Sequence, residues 1–229
     1  VLPVLILLVP VVLLMYKEPH MSGIVLFVSI TAVMMWVGGT HWAYFIGIFG
    51  AIAAGLVAVV LSGNIQYMLD RVSYWLDPWS DPLDKGYQTI QSLYAIGSGG
   101  FWGVGLGNSR QKHLYIPEPQ NDFIFSVVCE ELGFIGAVLV IVLFIWLVWR
   151  GFKIAFRARD KFGAMLAVGL TVQVGLQALL NIAVVTNTIP NTGISLPFFS
   201  AGGTSLMMLL AEMGVVLSVS RSTVDNHTL

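Results

Sequence analysis

The chain has 229 residues, of which 57% are hydrophobic and 10% charged, with a formal net charge of -1. Soluble domains carry about 25% charged residues, so a mean hydropathy of +0.84 reads as an integral membrane protein and excludes a soluble enzyme. The balanced charge, with no basic tail, gives no footing for nucleic acid.

Val1 opens inside an apolar run without a basic flank, which is not the pattern of a signal peptide. The expectation is the C-terminal part of a longer membrane protein. Crossing about 30 Å of hydrocarbon takes about 20 apolar residues, and six spans can be drawn. The first, Val1 to Tyr16, is short and carries Pro3 and Pro10, which transmembrane helices tolerate. After the break Lys17 to Gly23, a second span covers Ile24 to Val37 and a third Trp42 to Leu61. A long excursion occupies Ser62 to Asn121. A fourth span runs from Phe123 to Trp149, a fifth from Phe162 to Val185 and a sixth from Thr204 to Val219.

Arg150, Lys153, Arg157, Arg159 and Lys161 lie between spans four and five, opposed only by Asp160. The positive-inside rule makes this loop cytoplasmic. The excursion and the Asn187–Phe199 loop are then extracytoplasmic. The fold class is an all-α polytopic membrane protein: one transmembrane domain, 1–221, with a long extracytoplasmic loop, 62–122, and a cytoplasmic tail, 222–229.

The excursion has internal order. Ile65, Met68, Leu69, Val72, Trp75 and Leu76 form one apolar helix face, as in a helix lying in the membrane interface. Asp77-Pro78 and Asp81-Pro82 stop it. Tyr87 to Ile96 suits a second short helix, and six glycines follow between Gly97 and Gly107. Their spacing is neither GxxxxGK[ST] nor a GxGxxG after a strand, which favours tight turns or close packing over a phosphate loop.

Asp122 stands where the loop enters span four. Aspartate there is a preferred helix N-cap, and it is equally a candidate general base. Arg110, Lys112, His113 and Glu118 lie just upstream, a mixture suited to acid/base work beside an anionic group. Glu130 and Glu131 sit near the outer edge of the apolar core. There they must face protein or a wet cavity, in a structural or a substrate-lining role. Gln173, Gln177 and Asn181 make a polar stripe in span five, and Glu212 is an intramembrane carboxylate in span six. Interhelical hydrogen bonding and a substrate path are both open to them. Cys129, the single cysteine, reads as a buried, inert thiol. The scattered histidines show no metal-ligand spacing, and no GxSxG elbow occurs.

Five stretches then carry a resemblance: EPHMSG (Glu18 to Gly23), LDPWSDPLDKGYQ (Leu76 to Gln88), GSGGFWGVGLGNS (Gly97 to Ser109), YIPEPQNDFIFSVVCEELGFIG (Tyr115 to Gly136) and NTGISLPFFSAGGTSL (Asn191 to Leu206). In this order they resemble the SEDS family of bacterial cell-wall polymerases, with its FtsW, RodA and SpoVE branches. EPHMSG is nearer the division and sporulation branches. The resemblance implies ten spans, of which this chain corresponds to the last six. It implies a peptidoglycan glycosyltransferase that polymerises lipid II on the outer face of the bacterial cytoplasmic membrane. Its expected partners are a class B penicillin-binding protein and other divisome or elongasome proteins. The family's essential aspartate falls on Asp122, with Arg110, Lys112, Glu118, Gln120 and Glu131 as substrate-binding candidates. No cofactor is evident, and a divalent cation is compatible. A lipid II flippase and a divisome scaffold without activity are the competing readings. The fragment alone is expected to be inactive.

Overall fold

The structure is a computed structural model in which residues 1–17, 21–48, 50, 72–84, 86–111 and 121–222 are described. Its regular elements are all helical: α1 (Leu2–Lys17), α2 (Met21–Val37), α3 (Tyr87–Gly99), α4 (Ile124–Phe156), α5 (Lys161–Val185) and α6 (Gly203–Arg221). Short helical stretches cover 42–48 and 72–76. Among the described residues, α4, α5 and α6 are long and apolar enough to cross a membrane, whereas α1 and α2 are apolar but shorter. Most of the third span lies outside the described residues, as do Ile65, Met68 and Leu69 of the interfacial helix.

The fourth span continues seven residues beyond its expected end at Trp149, so Arg150 and Lys153 ride on helix and not in a loop. Cations in a last turn complement the helix dipole. Lys153 Nζ also lies 5.1 Å from the centre of the Trp149 ring, which covers its stem while leaving the charge near water. Asp160 begins α5, its carboxylate accepting from Gly163 N at 2.7 Å. The helix predicted from Tyr87 is present and runs three residues further, to Gly99. The turn at Pro78–Ser80 ends the 72–76 helix where Asp77-Pro78 predicts a stop, with Asp77 Oδ1 accepting from Trp79 N.

α5 is the middle of the bundle. Of its most apolar window 44% is buried, against 28% for α4 and 11% for α6, so among the described residues α5 is the most enclosed of the three. α4 packs most extensively on α5, and α3 packs on α4. The main core joins α4 and α5 through Phe123, Phe125, Val140, Phe144, Val174 and Ala178. At Gly151 the two helices touch so closely that an added Cβ would lie 2.2 Å from Thr171 Oγ1, the small-residue contact on which membrane helices rely.

α4 is cut within its N-terminal third. Gly133 has φ 67° and ψ -168°, outside helical geometry. The glycine-rich segment after α3 is woven into the gap. Val104 N donates to Glu130 O at 2.9 Å and Gly105 N to Glu131 O at 3.0 Å. In return, Phe134 N donates to Gly100 O at 2.8 Å and Ile135 N to Phe101 O at 3.3 Å. The glycines make this possible, because an added Cβ would lie 2.0 Å from Cys129 O at Gly99 and 2.1 Å from Glu131 O at Gly103. Close packing is thus what these glycines do. Cys129 is buried and free beside them.

Candidate active site

Asp122 lies in a turn immediately before α4, half-buried. The capping position is Phe123, one residue on, whose side chain has no acceptor, and Phe123 O takes the first bond from Ser126 N at 3.0 Å.

The backbone at Asp122 is held from two elements. Asn181, fully buried in the last turns of α5, donates from Nδ2 to Asp122 O at 2.7 Å and to Ile194 O at 2.6 Å. Ser200 Oγ donates to Asn121 O at 2.6 Å and accepts from Leu196 N at 2.7 Å. The loop between α5 and α6 is thereby fastened to the residues on either side of the Asn121–Asp122 peptide. Its Gly193 has φ 68°, and a Cβ built there would stand 3.4 Å from Asp122 Oδ2. The carboxylate thus looks along a wall kept bare by a glycine. The lead-in to the long loop meets the same end of α5: Trp75 Nε1 donates to Asn187 O at 3.0 Å, and Asn187 Nδ2 to Trp75 O at 3.2 Å.

A second polar cluster forms about 12 Å further along α4, eight residues at about 1.5 Å each. The Glu130 carboxyl group, 1% exposed, accepts from Ser109 Oγ at 2.5 Å and from Arg110 N at 3.0 Å. Glu131 Oε1 accepts from Ser109 N at 3.3 Å. Of the two roles left open for these glutamates, loop anchoring is therefore occupied. Next to them a cavity of about 560 Å³ is lined by Ser98, Val104, Asn108, Arg110 and Glu130, and the exposed Arg110 stands at its edge. Arg110 and Glu131 thus belong to this cluster, while Asp122 belongs to the joint with Asn181 and Ser200. Lys112, His113, Glu118 and Gln120 lie outside the described residues.

The polar stripe of span five divides. Gln173 Nε2 donates to both oxygens of Glu212, at 3.0 and 3.1 Å, and so joins α5 to α6, as interhelical bonding predicts. Asn181 bonds to loops, a role that the four-residue period does not reveal. Ser200 and Gly193 were visible only within the resemblance of 191–206, where nothing marked them as neighbours of Asp122. Among the described residues, no three metal-type ligands gather to hold an ion.

The FTSW_RODA_SPOVE family, described as cell cycle protein, matches residues 1–225. Stage V sporulation protein E of Bacillus subtilis (strain 168) is 47% identical over 211 residues, which are 91% of this chain and 57% of that protein. A probable peptidoglycan glycosyltransferase FtsW of Geobacter sp. (strain M18) is 40% identical over 218 residues, covering 95% of this chain and 59% of the relative. The chain thus spans rather more than half the length of these relatives. Among solved structures, a chain of a peptidoglycan synthase complex superposes with a TM-score of 0.77 at 32% identity, covering 97% of this chain and 62% of that one. The rod shape determining protein RodA of Thermus thermophilus gives 0.61 at 27% identity, covering 97% and 56%, and an aspartate-to-alanine mutant of the same protein gives 0.62. This is a polytopic, all-helical membrane protein. The chain belongs to the FtsW/RodA/SpoVE family, the SEDS proteins.

Proposed function

We propose that the protein containing this chain is a peptidoglycan glycosyltransferase that polymerises lipid II during division or sporulation, with Asp122 as its general base. The observation that carries the reading is the way Asp122 is held. A carboxylate at the mouth of α4 is carried on a backbone held at Asn121 O and Asp122 O, with the bare Gly193 beside it.

Asp122 takes the proton from the attacking sugar hydroxyl of the acceptor. The freed oxygen forms a bond to the anomeric carbon of the donor. The bond from that carbon to the diphosphate breaks, its electron pair leaving with undecaprenyl diphosphate. A single displacement of this kind inverts the anomeric centre. Arg110 and Lys112 stabilise the departing diphosphate, Glu118, Gln120 and Glu131 contact the substrate, and any divalent ion would serve the same leaving group. The loop 62–122 faces outward, the 157–160 turn and the C-terminus face the cytoplasm, and a class B penicillin-binding protein is the partner.

A flippase would need free polar groups in mid-membrane, and Gln177 Oε1 is buried with no hydrogen-bond partner among the described residues. The Gln173–Glu212 bonds argue for bundle assembly over a headgroup path. The deciding experiment gives labelled lipid II to the full-length protein with its penicillin-binding partner. Glycan strands form with wild type and not with Asp122→Ala; strands from the variant would refute the assignment.

A further inference from the structure

Resting on Asp122 as the base, we infer that Asn181 and Ser200 are positioning residues for the reaction, setting where the Asp122 carboxylate stands against the 191–200 loop. Each of the two side chains makes one bond to the peptide units at Asn121 and Asp122 and one to the backbone at 194–196. Consecutive carbonyls, Asn121 O and Asp122 O, are thus gripped from two different elements, α5 and the following loop. With both carbonyls held, that peptide segment cannot rotate without breaking one bond or the other.

The chemistry of the grip is selective. Two carbonyl oxygens at 2.6 and 2.7 Å from one atom of Asn181 require a nitrogen carrying two protons there. The other end of the amide, Oδ1, is buried and has no hydrogen-bond partner among the described residues. A buried polar atom left in that state is unfavourable, so packing alone does not favour asparagine at this position. The two donors do. Ser200 needs a hydroxyl for a parallel reason, because it must accept from Leu196 N and donate to Asn121 O at once. Two residues before it, Phe198 is held at φ 67°, a conformation that bulky residues adopt only where their surroundings impose it. The loop is fixed tightly, and Gly193 within it faces the carboxylate.

A general base acts only within hydrogen-bond reach of the proton it takes, and a displacement of about 1 Å can cost about 100-fold in rate. Loss of the grip should therefore lower kcat while leaving substrate affinity nearly unchanged, since Arg110, proposed for the diphosphate, belongs to the Glu130 cluster.

The test uses the full-length protein with its penicillin-binding partner and labelled lipid II, and compares Asn181→Ala, Asn181→Asp, Ser200→Ala, Ser200→Thr, Ser92→Ala and Asp122→Ala. Asn181→Asp keeps the shape but removes both donors, and Ser200→Thr keeps the hydroxyl. Ser92→Ala deletes another buried hydroxyl-to-carbonyl bond, Ser92 Oγ to Val185 O at 2.9 Å, that does not touch residues 121–122. The expected result is kcat lowered about 10- to 100-fold in both Asn181 variants and in Ser200→Ala, with KM within about threefold. Ser200→Thr and Ser92→Ala should stay near wild type. Unchanged kcat in Asn181→Asp and Ser200→Ala would overturn the inference, as would an equal fall in Ser92→Ala. If the Asn181 variants fail to fold, the pair Ser200→Ala and Ser200→Thr decides. An active Asp122→Ala would instead overturn the assignment of the base itself.

Discussion

The two ends of the α5 polar stripe use similar side chains for different purposes. Gln173, in mid-helix, bonds side chain to side chain with Glu212 and holds one span to the next. Asn181, two turns later, bonds side chain to backbone and holds two loops to each other. The contrast follows from what each depth offers. Mid-membrane helices have no backbone groups to spare, so a polar side chain there must find another polar side chain. At the helix end the neighbouring loops present carbonyls whose partners have to come from side chains. Bundle assembly is thus separated from site assembly along a single helix.

The largest consequences should come from the glycine segment woven into α4, ahead of either end of α5. Gly103→Ala combines φ 78° with a Cβ at 2.1 Å from Glu131 O, and should destabilise the protein by about 3 kcal/mol or more. Its readout is faster maleimide labelling of Cys129, which is now 6% exposed; a labelling rate equal to wild type would contradict the woven joint. Glu130→Ala leaves Ser109 Oγ and Arg110 N without their acceptor, and should lower stability by about 1–3 kcal/mol per orphaned donor, seen as a fall in unfolding temperature. Gly193→Ala pairs a left-handed φ with a methyl 3.4 Å from Asp122 Oδ2. Its strain should cost about 1–2 kcal/mol, while glycan synthesis falls further than the stability loss explains. The smallest effect belongs to the bundle end. Gln173→Leu should weaken α5–α6 packing by about 0.6–2 kcal/mol and leave the polymerisation rate unchanged, whereas a lost activity there would favour the transport reading.

Helix existence was legible because apolar length is a strong signal: α4, α5 and α6 all lie where composition puts them. The end of α4 lies beyond the expected Trp149, because arginine and lysine mark a loop in composition yet equally suit a last helical turn. Asp122 was legible as a candidate from its place at a helix entrance and from its surrounding motif. Its neighbours were not. Asn181 and Ser200 are 59 and 78 residues away in the chain, and the period that exposes Asn181 as polar says nothing about which carbonyl it meets. Tight turns or close packing is what the glycine spacing predicts, and Gly99 and Gly103 pack closely, yet no spacing indicates that their partner is α4. That pairing is made by backbone atoms, which carry no residue identity.

The cut in α4 also bears on how such a protein is assembled in the cell. A continuous helix would close Phe134 N on Glu130 O and Ile135 N on Glu131 O; the folded chain gives up those two bonds and makes four to the segment 100–105. A newly inserted α4 that has not yet met the segment can satisfy itself as an unbroken rod, at no cost in exposed peptide groups. The docked glycine segment and an unbroken rod are thus alternative partners for the same four peptide groups, and the two arrangements differ by a local exchange of hydrogen bonds.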